Sequence, residues 1–223
     1  MSKKRNKKPF LFQSLKGKKI KYNKTEQRTI HGLKPLTGGE WEGPIKTTSN
    51  VLRKNRDAVR FKIKDKLIKI QGRYCIYCGL HEEHCGGLER EHIAPKGTDS
   101  YPQFMFEPEN LCLACHHCNV DLKREEDTIS RTSSVYKKNK FTIVHPYLDD
   151  FAKHIEFAIK DGDVLIISKP RSKKGKKTIE LFELDSTTKT FKRSALLIKK
   201  ELKIKDKYDA MLEAALNEKY IKA

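Results

Sequence analysis

Three features of this 223-residue chain predict an α+β fold. Two Cys-x-x-Cys pairs, Cys75/Cys78 and Cys115/Cys118, bracket a spacer of 36 residues. Inside and just after the spacer the pattern reads strand, loop, strand, helix. Ahead of it, residues 49–71 carry an apolar stripe at roughly helical spacing.

The cysteines come first because they fix the rest. A Cys-x-x-Cys turn brings two thiolates to one ion, and two such turns complete a closed tetrahedral site. Cys75, Cys78, Cys115 and Cys118 are therefore the expected ligands of a structural zinc ion. His81, His84 and Cys85 form a rival ligand set with Cys75 or Cys78, which the paired turns make unnecessary. Cys112 reads as a small buried strand residue.

The basic segment 49–71 is expected to be a helix capped by Ser49 or Asn50 and ended by Gly72. Val51, Leu52, Val59, Phe61, Ile63, Leu67 and Ile68 form its broken stripe. In the spacer, residues 88–93 read as a strand ending in Glu91-His92, and residues 104–112 as its return. Pro95, Gly97, Asp99, Ser100 and Pro102 mark the loop between. A helix is expected from about Asn119, its N-cap, to Thr128. His116 and His117 read as exposed residues of the second cysteine turn.

Beyond it, residues 129–140 read as a polar linker and 141–144 as a strand. A helix is expected from Pro146, with Asp150 and His154 on one face. His145, Asp149, Asp150 and His154 lie close enough in sequence to raise a second metal site, though a polar helix face is the plainer reading. Residues 164–168 and 178–184 read as a hairpin with a basic tip, and 191–220 as one or two helices. The expected organisation is a basic flexible arm (1–48), a central core (49–128) and an α/β extension (129–223).

Composition narrows the partners. The net charge is +19, and residues 1–36 hold twelve Lys/Arg against one acid, Glu26. Such a charge favours a polyanion. Hydrophobic residues make up 37% and charged residues 35%, so the expected core is modest. No apolar run approaches the length of a membrane span, and the basic N-terminus lacks the apolar stretch of a secretory signal. Cysteines in metal spacing fit a reducing, cytoplasmic setting. The only tryptophan, Trp41, is expected to anchor the arm.

The central stretch resembles the HNH endonucleases, whose fold is the ββα-metal core with a Cys₄ zinc. The matching residues are Cys75-x-x-Cys78, Glu91-His92-Ile93-x-Pro95-Lys96-Gly97, Asn110-Leu111 and Cys115-x-x-Cys118-Asn119. The chain departs by having Glu91 where Asp is common and Asn119 where many members have His. Lys123 also falls one residue later than usual. The resemblance implies DNA phosphodiester hydrolysis leaving 5′-phosphate and 3′-hydroxyl ends. It assigns His92 as general base, and Glu91 and Asn119 as oxygen ligands of a catalytic Mg²⁺ or Mn²⁺. Asn110 is expected to pin the loop carrying His92. Because Glu91 and His92 point to opposite faces of a regular strand, a distorted strand end is expected.

A second resemblance, carried by YPQFMFEPENLCLACHHCN (101–119) and IVHPYLDDFAKHI (143–155), is to HNH proteins encoded beside an ATPase in bacterial anti-phage systems such as Septu. It implies antiviral defence and an ATPase partner. Double-strand cleavage by one such centre would call for a homodimer or two events. Three other readings stay open: a non-catalytic zinc module that only binds nucleic acid, an RNA nuclease, and an interaction subunit whose basic arm docks an acidic protein.

Overall fold

The helix that feeds the first cysteine turn is α2, Arg53–Gln71. Val59, Ile63 and Leu67 bury at i, i+4 and i+8, which lays one face on the core. Leu52 is its N-cap, without a side-chain cap, and Gly72 ends it at φ 77°. There the Gly72 amide returns to the Ile68 carbonyl at 2.8 Å, a conformation an L side chain resists. Of the two expected caps, Asn50 is not the N-cap and Ser49 lies outside the described residues. The computed structural model describes residue 12 and residues 14–45 and 50–201.

Two short strands follow. β1, Glu89–His92, pairs antiparallel with β2, Leu111–Ala114, in register from Glu89↔Ala114 to His92↔Leu111. The expected return strand at 104–112 is a correction. Pro102 and Pro108 open 3₁₀ turns at Pro102–Phe104 and Pro108–Asn110, so pairing begins only at Leu111. Proline fixes φ and offers no amide to a ladder. Phe104, Met105 and Phe106 still bury, as a plug beneath the sheet.

The helix expected from Asn119 to Thr128 is also corrected. It is a π turn, His117–Lys123, starting inside the second cysteine turn.

The N-terminal segment, expected to be flexible, is packed where it is described. α1, Lys24–Gly32, opens on a capping box in which Asn23 and Glu26 exchange side-chain and backbone bonds. Glu26 is buried and paired with Lys66 of α2. Leu15, Ile20, Leu33 and Trp41 join the single hydrophobic cluster, and the Leu15 amide bonds the Pro146 carbonyl at 2.8 Å. Few apolar residues are present among the described ones, but each lies in or against the core.

The linker expected at 129–140 is structured. β3, Ile129–Arg131, pairs with β4, Lys140–Phe141, and between them Tyr136 and Asn139 are buried. The helix expected to start at Pro146 does not form. The chain turns over His145–Asp149, makes a 3₁₀ turn at Phe151–Lys153, and enters β5, Ile155–Lys160. β5 pairs with β6, Asp163–Ser168, around Asp161 and Gly162 at φ 51° and 85°. That is an Asp-Gly two-residue hairpin.

The expected strand at 178–184 lies mostly within a helix, α3, Lys173–Leu181, capped by Ser172 Oγ on the Gly175 amide at 3.0 Å. The basic tip is therefore largely a helix start. α4, Thr187–Glu201, backs β6. Its buried Arg193 bonds the Val164 and Leu184 carbonyls, and Ser194 Oγ takes the Val164 amide at 2.9 Å. The helix expected to run on to residue 220 leaves the described residues at 202.

The fold is thus mixed α+β, with three small two-stranded antiparallel sheets among the described residues.

Candidate metal centre and adjoining cleft

The first cysteine turn is tied by the Cys75 amide on the Leu80 carbonyl at 2.8 Å and the Gly79 amide on the Cys75 carbonyl at 3.0 Å. The second opens the π turn. Together they place the sulfurs of Cys75, Cys78, Cys115 and Cys118 within 4.8 Å of one another, all buried. Cys78 and Cys115 are 4.0 Å apart. Zinc–sulfur bonds of about 2.3 Å in a tetrahedron separate the sulfurs by roughly 3.8 Å, so the cluster could hold a metal such as zinc.

Hydrogen bonds from Cys118, Cys75 and Cys78 pull the Cys115 thiol far below its ordinary range, while bonding to Cys115 pushes the Cys78 and Cys118 thiols up. The crowded sulfurs thus compete for protons, and a dication held among them would favour the thiolates. His81, His84 and Cys85 are not in the cluster. Cys112 is fully buried on β2.

Beside the second turn lies a cleft of about 490 Å³, bordered by all four β1 residues, the π turn, Trp41 and several lysines and arginines. It wraps the free edge of β1, which is why residues on both strand faces reach it. The distortion expected at the end of β1 is absent from the pairing, which runs unbroken through His92.

On one face, Glu91 Oε1 accepts from Tyr77 Oη at 3.0 Å and Lys123 Nζ at 2.9 Å. Both ends of the Glu91–Lys123 pair are buried. Glu91 Oε2 takes neither bond. On the other face, His92 Nε2 lies 3.0 Å from the Met105 carbonyl. A carbonyl only accepts, so Nε2 carries the proton and Nδ1 keeps its lone pair. Trp41 stands edge-on to the ring at 4.5 Å. Burial, with Lys96, Lys123 and Arg90 nearby, holds the His92 pKa well below the usual histidine range.

Asn119 is not a helix cap; it sits within the π turn. Its Nδ2 donates to Glu89 Oε2 at 2.9 Å, leaving Oδ1 uncommitted. Glu89 also holds His116 Nδ1 at 2.9 Å, which raises the His116 pKa. His116 and His117 are exposed, and His117 pairs with Asp121. The π turn sets the position of Lys123. An i→i+5 turn takes up one more residue than an α turn, so Lys123 still reaches Glu91.

Asn110 is fully buried and makes four bonds. Oδ1 accepts from the Ala94 amide at 2.7 Å and from Tyr136, and Nδ2 donates to the Ala94 and Phe104 carbonyls. The structure thus gathers Glu91, His92 and Asn119 around one cleft, with Asn110 behind it.

The second histidine–carboxylate group does not form a site. His145 is fully buried and bonded to Tyr136, Asp150 caps the Ala152 amide, and His154 bonds Ser172. No such metal cluster is found among the described residues. Sequence reasoning overlooked Glu89, although its place two residues before Glu91, on the same strand face, was readable. It also missed Tyr77 and Tyr136, for which no spacing signal exists.

Fold and site together define a small mixed α+β protein with a four-cysteine cluster able to hold a metal. No protein-family model matches the chain, and no curated protein matches it. No helix among the described residues is long and apolar enough to cross a membrane.

Proposed function

We propose that the protein is a metal-dependent HNH-type endonuclease that hydrolyses DNA. The observation that carries this reading is a shared pattern at the cleft. Glu91, His92 and Asn119 each have one side-chain atom fixed by the protein and another left unbonded: Oε2, Nδ1 and Oδ1. Such half-satisfied groups are oriented yet available, unlike those of a packed polar core.

The donor set suits the chemistry. A carboxylate oxygen and an amide oxygen are hard ligands, appropriate to Mg²⁺ or Mn²⁺. When bound, that ion would supply charge neutralisation at the scissile phosphate. His92 Nδ1 would take the proton of the attacking water. Burial keeps the ring neutral near pH 7, and the Met105 carbonyl fixes its tautomer. Lys64, Arg90, Lys96 and Arg124 on the cleft walls would hold the phosphate backbone. In this reading the four cysteines hold zinc and take no part in the reaction, since a closed Cys₄ site has no open position.

The resemblance to HNH proteins, and the weaker one to ATPase-partnered defence nucleases, supports a role in antiviral defence in the cytoplasm. One observation favours a different reading, a zinc-stabilised module that binds nucleic acid without cutting it. The Lys123 ammonium already neutralises Glu91, so recruiting a cation there requires sharing that carboxylate.

Plasmid cleavage with Mg²⁺ or Mn²⁺, wild type beside His92→Ala, separates the two. Nicking by the wild type, lost by roughly 100-fold or more in a variant that retains its zinc, supports the nuclease. Binding without cleavage of plasmid, single-stranded DNA or RNA establishes the module instead.

A further inference from the structure

The two residues after His92 are held by bonds to Asn110 and Thr128. The Ile93 amide bonds the Asn110 carbonyl at 2.9 Å, and the Ile93 carbonyl accepts from Thr128 Oγ1 at 2.6 Å. Both backbone polar groups of Ala94 are taken by the Asn110 side chain, at 2.7 and 3.1 Å.

The direction of the Asn110 amide, which the Ala94 amide on Oδ1 already requires, is set a second time from elsewhere. The Tyr147 amide donates to His145 Nδ1 at 3.2 Å, so that nitrogen is an acceptor and His145 Nε2 must carry the ring's proton. Nε2 lies 2.9 Å from Tyr136 Oη and donates to it. The tyrosine's own hydrogen is left to point at Asn110 Oδ1, also 2.9 Å away. Asn110 must then present oxygen, and not nitrogen, on that side. His145 is anchored in turn: its backbone amide bonds Asp149 Oδ2 at 2.8 Å, and Asp149 is paired with Lys174 of α3.

We infer that Tyr136 and His145 are positioning residues. They orient the Asn110 amide, and through it the backbone that carries His92. Their effect on cleavage rests on the nuclease reading; their effect on the backbone does not. A buried chain with every donor and acceptor used transmits orientation because flipping any one member orphans its neighbours. The segment after the second cysteine turn is thereby part of the site.

The test uses the full chain loaded with zinc. Tyr136→Phe keeps the ring, which packs against Phe104 and Phe141, and removes only the hydroxyl. Hydrogen exchange of the Ala94 amide, read by NMR, should then accelerate roughly 10-fold or more, while the Cys75 amide in the first cysteine turn keeps its wild-type rate. The kcat for plasmid nicking should fall about 10–100-fold with KM for DNA within about twofold. His145→Gln, which returns an N–H to the tyrosine, should stay close to wild type, and His145→Leu should match Tyr136→Phe.

Unchanged Ala94 exchange in Tyr136→Phe would overturn the inference. So would equal acceleration at Cys75, which would mean general loosening. If the wild type cuts no nucleic acid, the nuclease reading fails while Ala94 exchange still decides the relay.

Discussion

The sulfur cluster and the cleft occupy the same fifty residues, yet they are built in opposite ways. The cluster draws four identical ligands from two local turns, and all four are buried. Its geometry is written in Cys-x-x-Cys spacing and needs little from the rest of the chain. The cleft draws unlike groups from β1 and the π turn, and each is shared with a neighbour: Glu91 with Tyr77 and Lys123, Asn119 with Glu89, His92 with Met105 and Trp41. A closed site is self-sufficient, whereas an open one must be held in place from outside.

If that contrast holds, damage to the cluster is global and damage to the cleft is local. The largest expected effect is therefore at sulfur. Cys118→Ser should lose zinc and most of the cooperative fold, since structural zinc contributes on the order of 10 kcal/mol of folding energy. Elemental analysis and a thermal melt check this; a variant that melts like wild type would break the contrast.

Next is the buried pair. Lys123→Met should cost about 3–5 kcal/mol by leaving Glu91 without its cation, with zinc retained. Added Mg²⁺ or Mn²⁺ should restore part of the loss in chemical denaturation, because a divalent ion can take the lysine's place as counter-charge.

Acid should sharpen the comparison further. His145 is held down to about 3, mainly by burial, and His92 also lies well below 6.5. Folded pKa values below the unfolded ones mean that the unfolded chain binds the protons. Stability is therefore lost as pH falls below 6.5, for His145 down to about 3, by about 1.4 kcal/mol per pH unit for that histidine, with His92 adding loss in the same direction. Denaturation across that window in wild type and His145→Gln should give slopes that differ by about one proton.

The smallest effect is expected at the rim. Arg60→Ala removes a cation over Trp41 at 5.2 Å and an ion pair with the largely exposed Glu42. About 1 kcal/mol or less should be lost in the same denaturation measurement.

What the sequence made legible follows the same division. The cysteine cluster, α2 and β6 could be read because their signals are local: fixed spacing, a terminating glycine, an apolar run. The segments misread were those where two local signals competed. Residues 104–112 carry strand-like apolar residues but also Pro108, with Pro102 just ahead of them, and the prolines prevailed. Residues 155–160 carry phenylalanine and isoleucine at spacings that also fit a helix, and the Asp161-Gly162 turn decided for a hairpin. The basic run at 173–177 looked like a loop tip until Ser172 capped it as a helix.

In the site, Glu91, His92, Asn110 and Asn119 could be singled out by motif, but their partners could not. Tyr136 bonds Asn110 across 26 residues and Tyr77 bonds Glu91 across 14, and no periodicity announces either contact.

One contact at the end of α2 bears on the order of assembly. The Gln71 side chain donates from Nε2 to the Leu113 carbonyl and accepts the Leu113 amide at Oε1, and the Ile76 amide donates to the same carbonyl. These bonds close a loop of 42 residues, nearly the same loop that Cys78 and Cys115 close across 37. Drawing such ends together costs roughly 3 kcal/mol of chain entropy, and it is spent only once. Whichever closure forms first leaves the other almost free of that cost. A glutamine with no chemistry of its own thus shares with four cysteines the task of knotting the chain.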